Sequence, residues 1–187
     1  GPIDIDDALQ KLGAAGKTAL ARRLATSAES LPYRARAFGE LHARLLAALP
    51  FHLTGAQRKV CEEIAQDLAR QQPMHRLLQG DVGSGKTVVA ALAATVCMDA
   101  GWQCALMAPT EILADQHFRK LVGWLEPLGI TTAWLTGSRK GKGRSAMVAQ
   151  VASGEAMLVV GTHAVIQDDV VFARLVLAIV DEQHRFG

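Results

Sequence analysis

The stretch Gly80-Asp81-Val82-Gly83-Ser84-Gly85-Lys86-Thr87 lies between a short run, Arg76 to Gln79, and a long helix-like segment, Lys86 to Ala100. It satisfies G-x-x-x-x-G-K-[ST], and a strand before it with a helix starting inside it is the context in which that pattern carries meaning. Its glycines let the chain fold tightly enough for successive N–H groups to converge on an anion, and the new helix adds the positive end of its dipole. Gly80, Asp81, Val82, Gly83, Ser84, Gly85, Lys86 and Thr87 are therefore candidate phosphate-binding residues. Lys86 has the reach and charge for the outer phosphates of a nucleoside triphosphate, and the Thr87 hydroxyl is a hard oxygen suited to Mg²⁺. A glycine-rich turn with a solvated lysine is the plain alternative, which the flanking elements disfavour. A second Gly-Lys-Thr, Gly16 to Thr18, has Lys11 where the leading glycine belongs and no apolar run before it, so it reads as coincidence.

Working outward, the runs Arg76 to Gln79, Cys104 to Ala108, Thr131 to Leu135, Met157 to Val160 and Val176 to Val180 read as strands. Lys86 to Ala100, Glu111 to Trp124 and Gly143 to Ser153 read as helices, with a shorter helical piece after Thr162. Apolar strands alternating with helices predict an α/β fold, a mainly parallel sheet flanked by helices. Residues 5–49 are rich in Ala, Leu and Arg and predict two or three helices, so the chain divides into a helical segment, 1–50, and a lobe, 51–187. Arg22, Arg23, Arg34, Arg36 and Arg44 read as the solvated face of those helices rather than as a polyanion site.

Ligands of open α/β sheets bind at the C-terminal ends of the strands, so the phosphate loop needs an acidic partner at that edge. Leu175-Val176-Leu177-Ala178-Ile179-Val180-Asp181-Glu182 supplies one. Asp181 suits Mg²⁺, held through water, and Glu182 suits the orientation of a water attacking the γ-phosphate. Alone, such a pair also suits a turn. Beside the phosphate loop it completes a site for ATP hydrolysis, with Lys86, Asp181 and Glu182 as its catalytic residues.

The bulk properties narrow the class. Half of the 187 residues are apolar and a fifth are charged, which fits a packed domain. The net charge of +2 leaves any nucleic-acid contact to a local patch. Cys61, Cys97 and Cys104 lack the spacing of a metal site or a disulfide framework and read as buried hydrophobes in a reducing cytoplasm. No apolar run approaches the roughly 20 residues of a membrane span. Because the chain opens with Gly1-Pro2 and stops directly after its acidic motif, a fragment is expected.

Asp181-Glu182-Gln183-His184 resembles the DExH box of superfamily two helicases. Pro73 to Ala91, with the closing Asp181-Glu182-Gln183-His184-Arg185-Phe186-Gly187, is similar to the first motor lobe of the bacterial RecG family of branch-migrating DNA helicases. The similarity runs from about Phe51 to Gly187. The transcription-repair coupling factor is the neighbouring family, with a bulky aromatic in place of Ser84 and a glutamate in place of Gln183.

This resemblance implies a RecA-like ATP-binding lobe and an ATP-dependent helicase that remodels forks and Holliday junctions in recombination and repair. The alternatives are a coupling-factor motor or, in truncated form, a nucleotide- or DNA-binding module. Phe51 and Gln57 resemble the adenine-binding motif, although Thr54 also suits a helix N-cap there. Thr110 and Gln116 match a segment touching the DNA backbone, with an N-cap the alternative for Thr110. Thr136, Ser138, Arg139 and Lys140, beside Lys142 and Arg144, match a second DNA-facing segment, and Thr162 and His163 a third. His163 also suits a core histidine. Gln183 and His184 would couple the ATP site to DNA or to another lobe, and His184 lacks the partners of a zinc site. The implied cofactors are ATP and Mg²⁺. The implied partners are branched or duplex DNA, a second RecA-like lobe and a DNA-binding wedge domain, in a monomeric, nucleoid-associated bacterial protein of the cytoplasm, without a membrane.

Overall fold

A computed structural model describes residues 40–69, 74–79, 84–136, 142–167 and 169–182. In chain order these form α1 (Glu40–Ala48), α2 (Gly55–Ala69), β1 (Met74–Gln79), α3 (Ser84–Asp99), β2 (Gln103–Met107) and α4 (Glu111–Leu125). A 3-10 turn (Glu126–Leu128), β3 (Thr131–Leu135), α5 (Lys142–Ser153), β4 (Ala156–Gly161), a second 3-10 turn (His163–Ile166) and β5 (Leu175–Glu182) follow. The strands make one five-stranded sheet in the order β1-β5-β2-β4-β3. Every pairing is parallel. The architecture is the α/β lobe that the sequence predicts; β3 has its expected bounds, and the other four strands differ from theirs by one or two residues at an end. The largest difference is at β5, which continues through the acidic pair because Leu78 and Gln79 of β1 pair with Asp181 and Glu182.

Side chains alternate across a strand, and the core divides accordingly. Cys104 and Leu106, Leu158 and Val160, Leu177 and Ile179 pack with α3 and with Leu121 and Leu125 of α4. Ala105 and Met107, Ala133 and Leu135, Ala178 and Val180 pack on the opposite face with Val151 of α5 and with Val165, Val170 and Phe172. The same alternation carries Asp181 to the face of Leu177 and Ile179, the side on which α3 and α4 lie. Phe118 of α4 meets Trp134 of β3 at 5.0 Å between ring centroids, which fixes α4 on the sheet. Cys61, Cys97 and Cys104 are buried free thiols. Burial, helped by the Glu62 charge, pushes the Cys61 thiol up to about 11, so it behaves as a small hydrophobe.

Helix α1 is docked on α3 through polar groups as well as apolar ones. Asp99, at the end of α3, accepts the Leu41 N–H at 2.9 Å and the His42 N–H at 3.3 Å, so a distant carboxylate caps the orphan donors of the first turn. Leu45 is completely buried there, a contribution of about 1.5–3 kcal/mol. Burial pushes the His42 imidazole below its usual value, against the opposing effects of its hydrogen bond to the Leu92 carbonyl and the nearby Asp99 charge.

At the C-terminal edge the loops are stitched through Gly161. Its carbonyl accepts the Ala108 N–H at 2.9 Å, and the next residue, Thr162, donates its N–H to the Leu135 carbonyl at 3.2 Å. A Cβ on Gly161 would fall inside the Leu135 carbonyl group, so backbone approach requires glycine here.

Two consequences are measurable. Gly161→Ala is expected to cost roughly 1–3 kcal/mol or more through forced backbone displacement, read as a fall in the urea midpoint. His42 binds its proton less readily folded than unfolded, so the stability tied to it is full above about pH 6.5 and declines as pH falls through the unfolded value towards the lower folded one. Melting temperatures at pH 7.5 and 5.5 should therefore differ less in His42→Gln than in the wild type.

Candidate nucleotide site and nucleic-acid face

Lys86 and Thr87 lie in the first turn of α3, and Asp181 stands near the end of β5. The Lys86 Nζ reaches Asp181 Oδ1 at 2.9 Å, and both side chains are buried, with 8% and 3% exposure. The other carboxylate oxygen, Oδ2, lies 2.6 Å from His117 Nε2. The second ring nitrogen, Nδ1, lies 2.9 Å from Thr87 Oγ1. Lys86, Asp181, His117 and Thr87 thus form one hydrogen-bonded chain that begins and ends on α3.

A carboxylate only accepts, so Nε2 of His117 carries a proton and donates it to Asp181. Burial pushes the Asp181 carboxyl up, but hydrogen bonds from His117 and Lys86, aided by the Lys86 charge, hold it below the usual carboxylate range. The result is an ionised carboxylate in a dry place, beside an ammonium and a threonine hydroxyl. Asp181 and Thr87 are hard oxygen donors of the kind Mg²⁺ takes, and Mg²⁺ keeps several waters, so two protein ligands suffice. Donor chemistry and burial therefore fit the metal expected here.

His117 was not among the site residues expected from the sequence. Ala114, His117, Leu121 and Leu125 recur at helical spacing and are the buried residues of α4, so a histidine in that row reads as core. The available signal was its place in the first half of α4, close to the C-terminal edge of the sheet where ligands bind.

Several expected residues lie where the structure gives their surroundings. Thr110 is the N-cap of α4 and accepts the Leu113 N–H at 3.3 Å. Gln116 is exposed while its neighbour His117 is buried, so α4 turns one residue outward and the next inward. Thr54 and Gln57 form a reciprocal capping box, Thr54 N–H to Gln57 Oε1 at 2.9 Å and Gln57 N–H to Thr54 Oγ1 at 3.1 Å. Phe51 is exposed and lines a cavity of about 490 Å³ with Leu53, His52 and Arg58. Thr136 and Thr162 are buried and His163 is exposed.

The threonines at 110, 136 and 162 follow β2, β3 and β4, so all lie along the C-terminal edge that also carries Asp181. Within the basic stretch, Arg144 is engaged by Asp169, donating from Nε at 3.0 Å and from Nη2 at 2.8 Å. That fork pins α5 to the loop after β4. Gly80 to Gly83, Ser138, Arg139, Lys140, Gln183 and His184 lie outside the described residues, as do the side chains of Ser84 and Glu182.

A parallel sheet with a buried lysine–aspartate pair at the C-terminal ends of β1 and β5, behind a phosphate-loop sequence, defines a RecA-like nucleotide-binding lobe. The chain belongs to the DEAD/DEAH box helicase family, whose sequence pattern matches residues 54–187. It is 57% identical over 144 residues to the ATP-dependent DNA helicase RecG of Escherichia coli (strain K12), a match covering 77% of this chain and 21% of the relative. It is 55% identical over 148 residues to the Haemophilus influenzae protein of that name, covering 79% of this chain and 21% of the relative. A solved structure of RecG bound to a three-way DNA junction superposes with a TM-score of 0.71 at 39% identity, covering 98% of this chain and 26% of that one. The chain thus spans about a fifth of the length of the curated relatives it matches.

The buried pair makes a direct prediction. Removing one partner leaves an uncompensated charge, so Asp181→Asn should cost about 3 kcal/mol in urea unfolding. The double variant Lys86→Met with Asp181→Asn, which keeps an acceptor for His117, should recover most of that loss, giving a large coupling energy in the double-mutant cycle.

Proposed function

We propose that this lobe is the ATP-binding first motor lobe of a DNA helicase of the RecG kind, acting on branched or duplex DNA in recombination and repair. The observation that carries the reading is the meeting of Lys86, Thr87 and Asp181 in one buried cluster at the strand ends, in a chain more than half identical to ATP-dependent DNA helicases. ATP is the substrate. Mg²⁺, held by Thr87 and Asp181, supplies charge that offsets the phosphates.

The chain's own residues divide the remaining work. Lys86, now paired with Asp181, turns its ammonium to the β- and γ-phosphates, and the backbone N–H groups of residues 80–87 cradle them. Glu182 orients the water that attacks in line. Gln57 and Phe51 take the adenine end. Thr110, Gln116, Thr136, Ser138, Arg139, Lys140, Thr162 and His163 form the DNA face along the same sheet edge. Gln183 and His184 lie between the two. Residues 51–187 make up the lobe and 1–50 a helical connector, in a monomeric protein of the bacterial cytoplasm and nucleoid.

A second RecA-like lobe and a wedge domain are the partners. An arginine from the second lobe is worth about 10³ to 10⁵ in rate where such fingers operate, so hydrolysis by this lobe alone should be slow. The named relatives favour the RecG reading over a coupling-factor motor.

Equilibrium binding of a fluorescent ATP analogue to the chain, with Mg²⁺, tests the site. Micromolar binding that falls by about 10²-fold or more in Lys86→Ala is expected, on the scale of a lost charged donor in a preorganised anion site. Unchanged binding in Lys86→Ala would place the nucleotide elsewhere. Steady turnover by the isolated chain that stops in Lys86→Ala would show more than a binding module.

A further inference from the structure

We propose that His117 is a positioning residue for the catalytic cation, holding the two oxygen ligands Thr87 and Asp181 in one fixed relation. The inference rests on the ATP-site reading above and adds a residue that the motifs did not single out. Two elements carry the cation ligands, α3 and β5, and a third element, α4, joins them through a single imidazole.

The geometry is that of a rigid bridge. Nε2 stands 2.6 Å from Asp181 Oδ2, and Nδ1 stands 2.9 Å from Thr87 Oγ1. With the ring proton on Nε2, Nδ1 accepts from the Thr87 hydroxyl, which turns that hydrogen towards the ring and leaves the oxygen lone pairs directed away from it. A hydroxyl used in this way is prepared to ligate a cation. The Nε2 donor fixes one carboxylate oxygen of Asp181 while Lys86 holds the other at 2.9 Å. His117 is only 6% exposed, and Phe118, the next residue, is packed on Trp134, so the ring sits on a helix held against the sheet. An outer partner of this kind orients ligands and commonly changes metal affinity by about 10–100-fold.

The test separates positioning from packing. His117→Phe keeps bulk and burial but removes both ring nitrogens, whereas His117→Gln keeps a donor and an acceptor on one side chain. For each variant and the wild type, the affinity of the chain for a fluorescent ATP analogue is measured without divalent cation and across a Mg²⁺ titration. Circular dichroism and thermal melts establish folding.

In His117→Phe, affinity without Mg²⁺ should stay within about twofold, and the Mg²⁺ concentration giving half-maximal effect should rise by 10-fold or more. His117→Gln should recover part of that shift. A wild-type Mg²⁺ dependence in folded His117→Phe overturns the proposal and leaves the ATP-site reading standing. If His117→Phe does not fold, His117→Gln and His117→Asn decide on the same readout, and a wild-type dependence in both overturns it. Failure of the wild-type chain to bind the analogue, or binding indifferent to Lys86→Ala, overturns both readings together.

Discussion

The buried ion pair between Lys86 and Asp181 is the constraint on which the lobe's organisation turns. Two opposite charges at 2.9 Å and below 10% exposure persist only because each is further satisfied, and Asp181 meets that demand through His117. The pair ties the start of α3 to the end of β5, two segments separated by 95 residues in sequence. Strand pairing brings β1 and β5 together along their length, while the ion pair joins the start of α3 to the end of β5. Apolar packing alone, which has no direction, would not specify that contact.

The sheet order brings the residues of the two proposed functions to one edge. β1 and β5 at one side carry the phosphate loop and Asp181, whereas β2, β4 and β3 carry the loops beginning at Ala108, Thr162 and Thr136. Because every strand is parallel, the C-terminal ends of all five lie on the same side without any special device. α4 packs over β4 and β3, beside α3. Its N-cap, Thr110, and its outward residue Gln116 belong to the proposed DNA face, and its inward residue His117 reaches the Asp181 carboxylate of the proposed ATP site. A single helix therefore carries residues of both proposed sites, and the Phe118–Trp134 contact fixes its seat.

Much of this was legible in the sequence, for reasons that also define what was not. The strands were found because parallel strands covered on both faces appear as continuous apolar runs, and β3 was bounded correctly at Thr131 and Leu135. Lys86, Thr87 and the acidic residue after Val180 were read as partners because the proposed chemistry tolerates few residue types, and the fold does bring them into one cluster. His117 was hidden because its spacing with Ala114, Leu121 and Leu125 is that of a core position, and only the tertiary fold shows that the core stripe ends at a polar cluster. Arg144 looked like one more cation in a basic loop, and only the fold brings Asp169 within 2.8 Å of it. The docking of α1 through Asp99, 58 residues from the N–H it caps, is likewise a long-range contact with no local pattern.

The central claim is that the Lys86–Asp181 cluster is the seat of Mg-ATP. A crystal structure of the chain with Mg²⁺ and a non-hydrolysable ATP analogue tests it most directly. The triphosphate is expected against residues 80–87, Lys86 withdrawn from Asp181 to the phosphate oxygens, and the cation on the side of Thr87 and Asp181 with His117 still bonded to both. A nucleotide bound elsewhere, with the 2.9 Å pair between Lys86 and Asp181 intact, would contradict it.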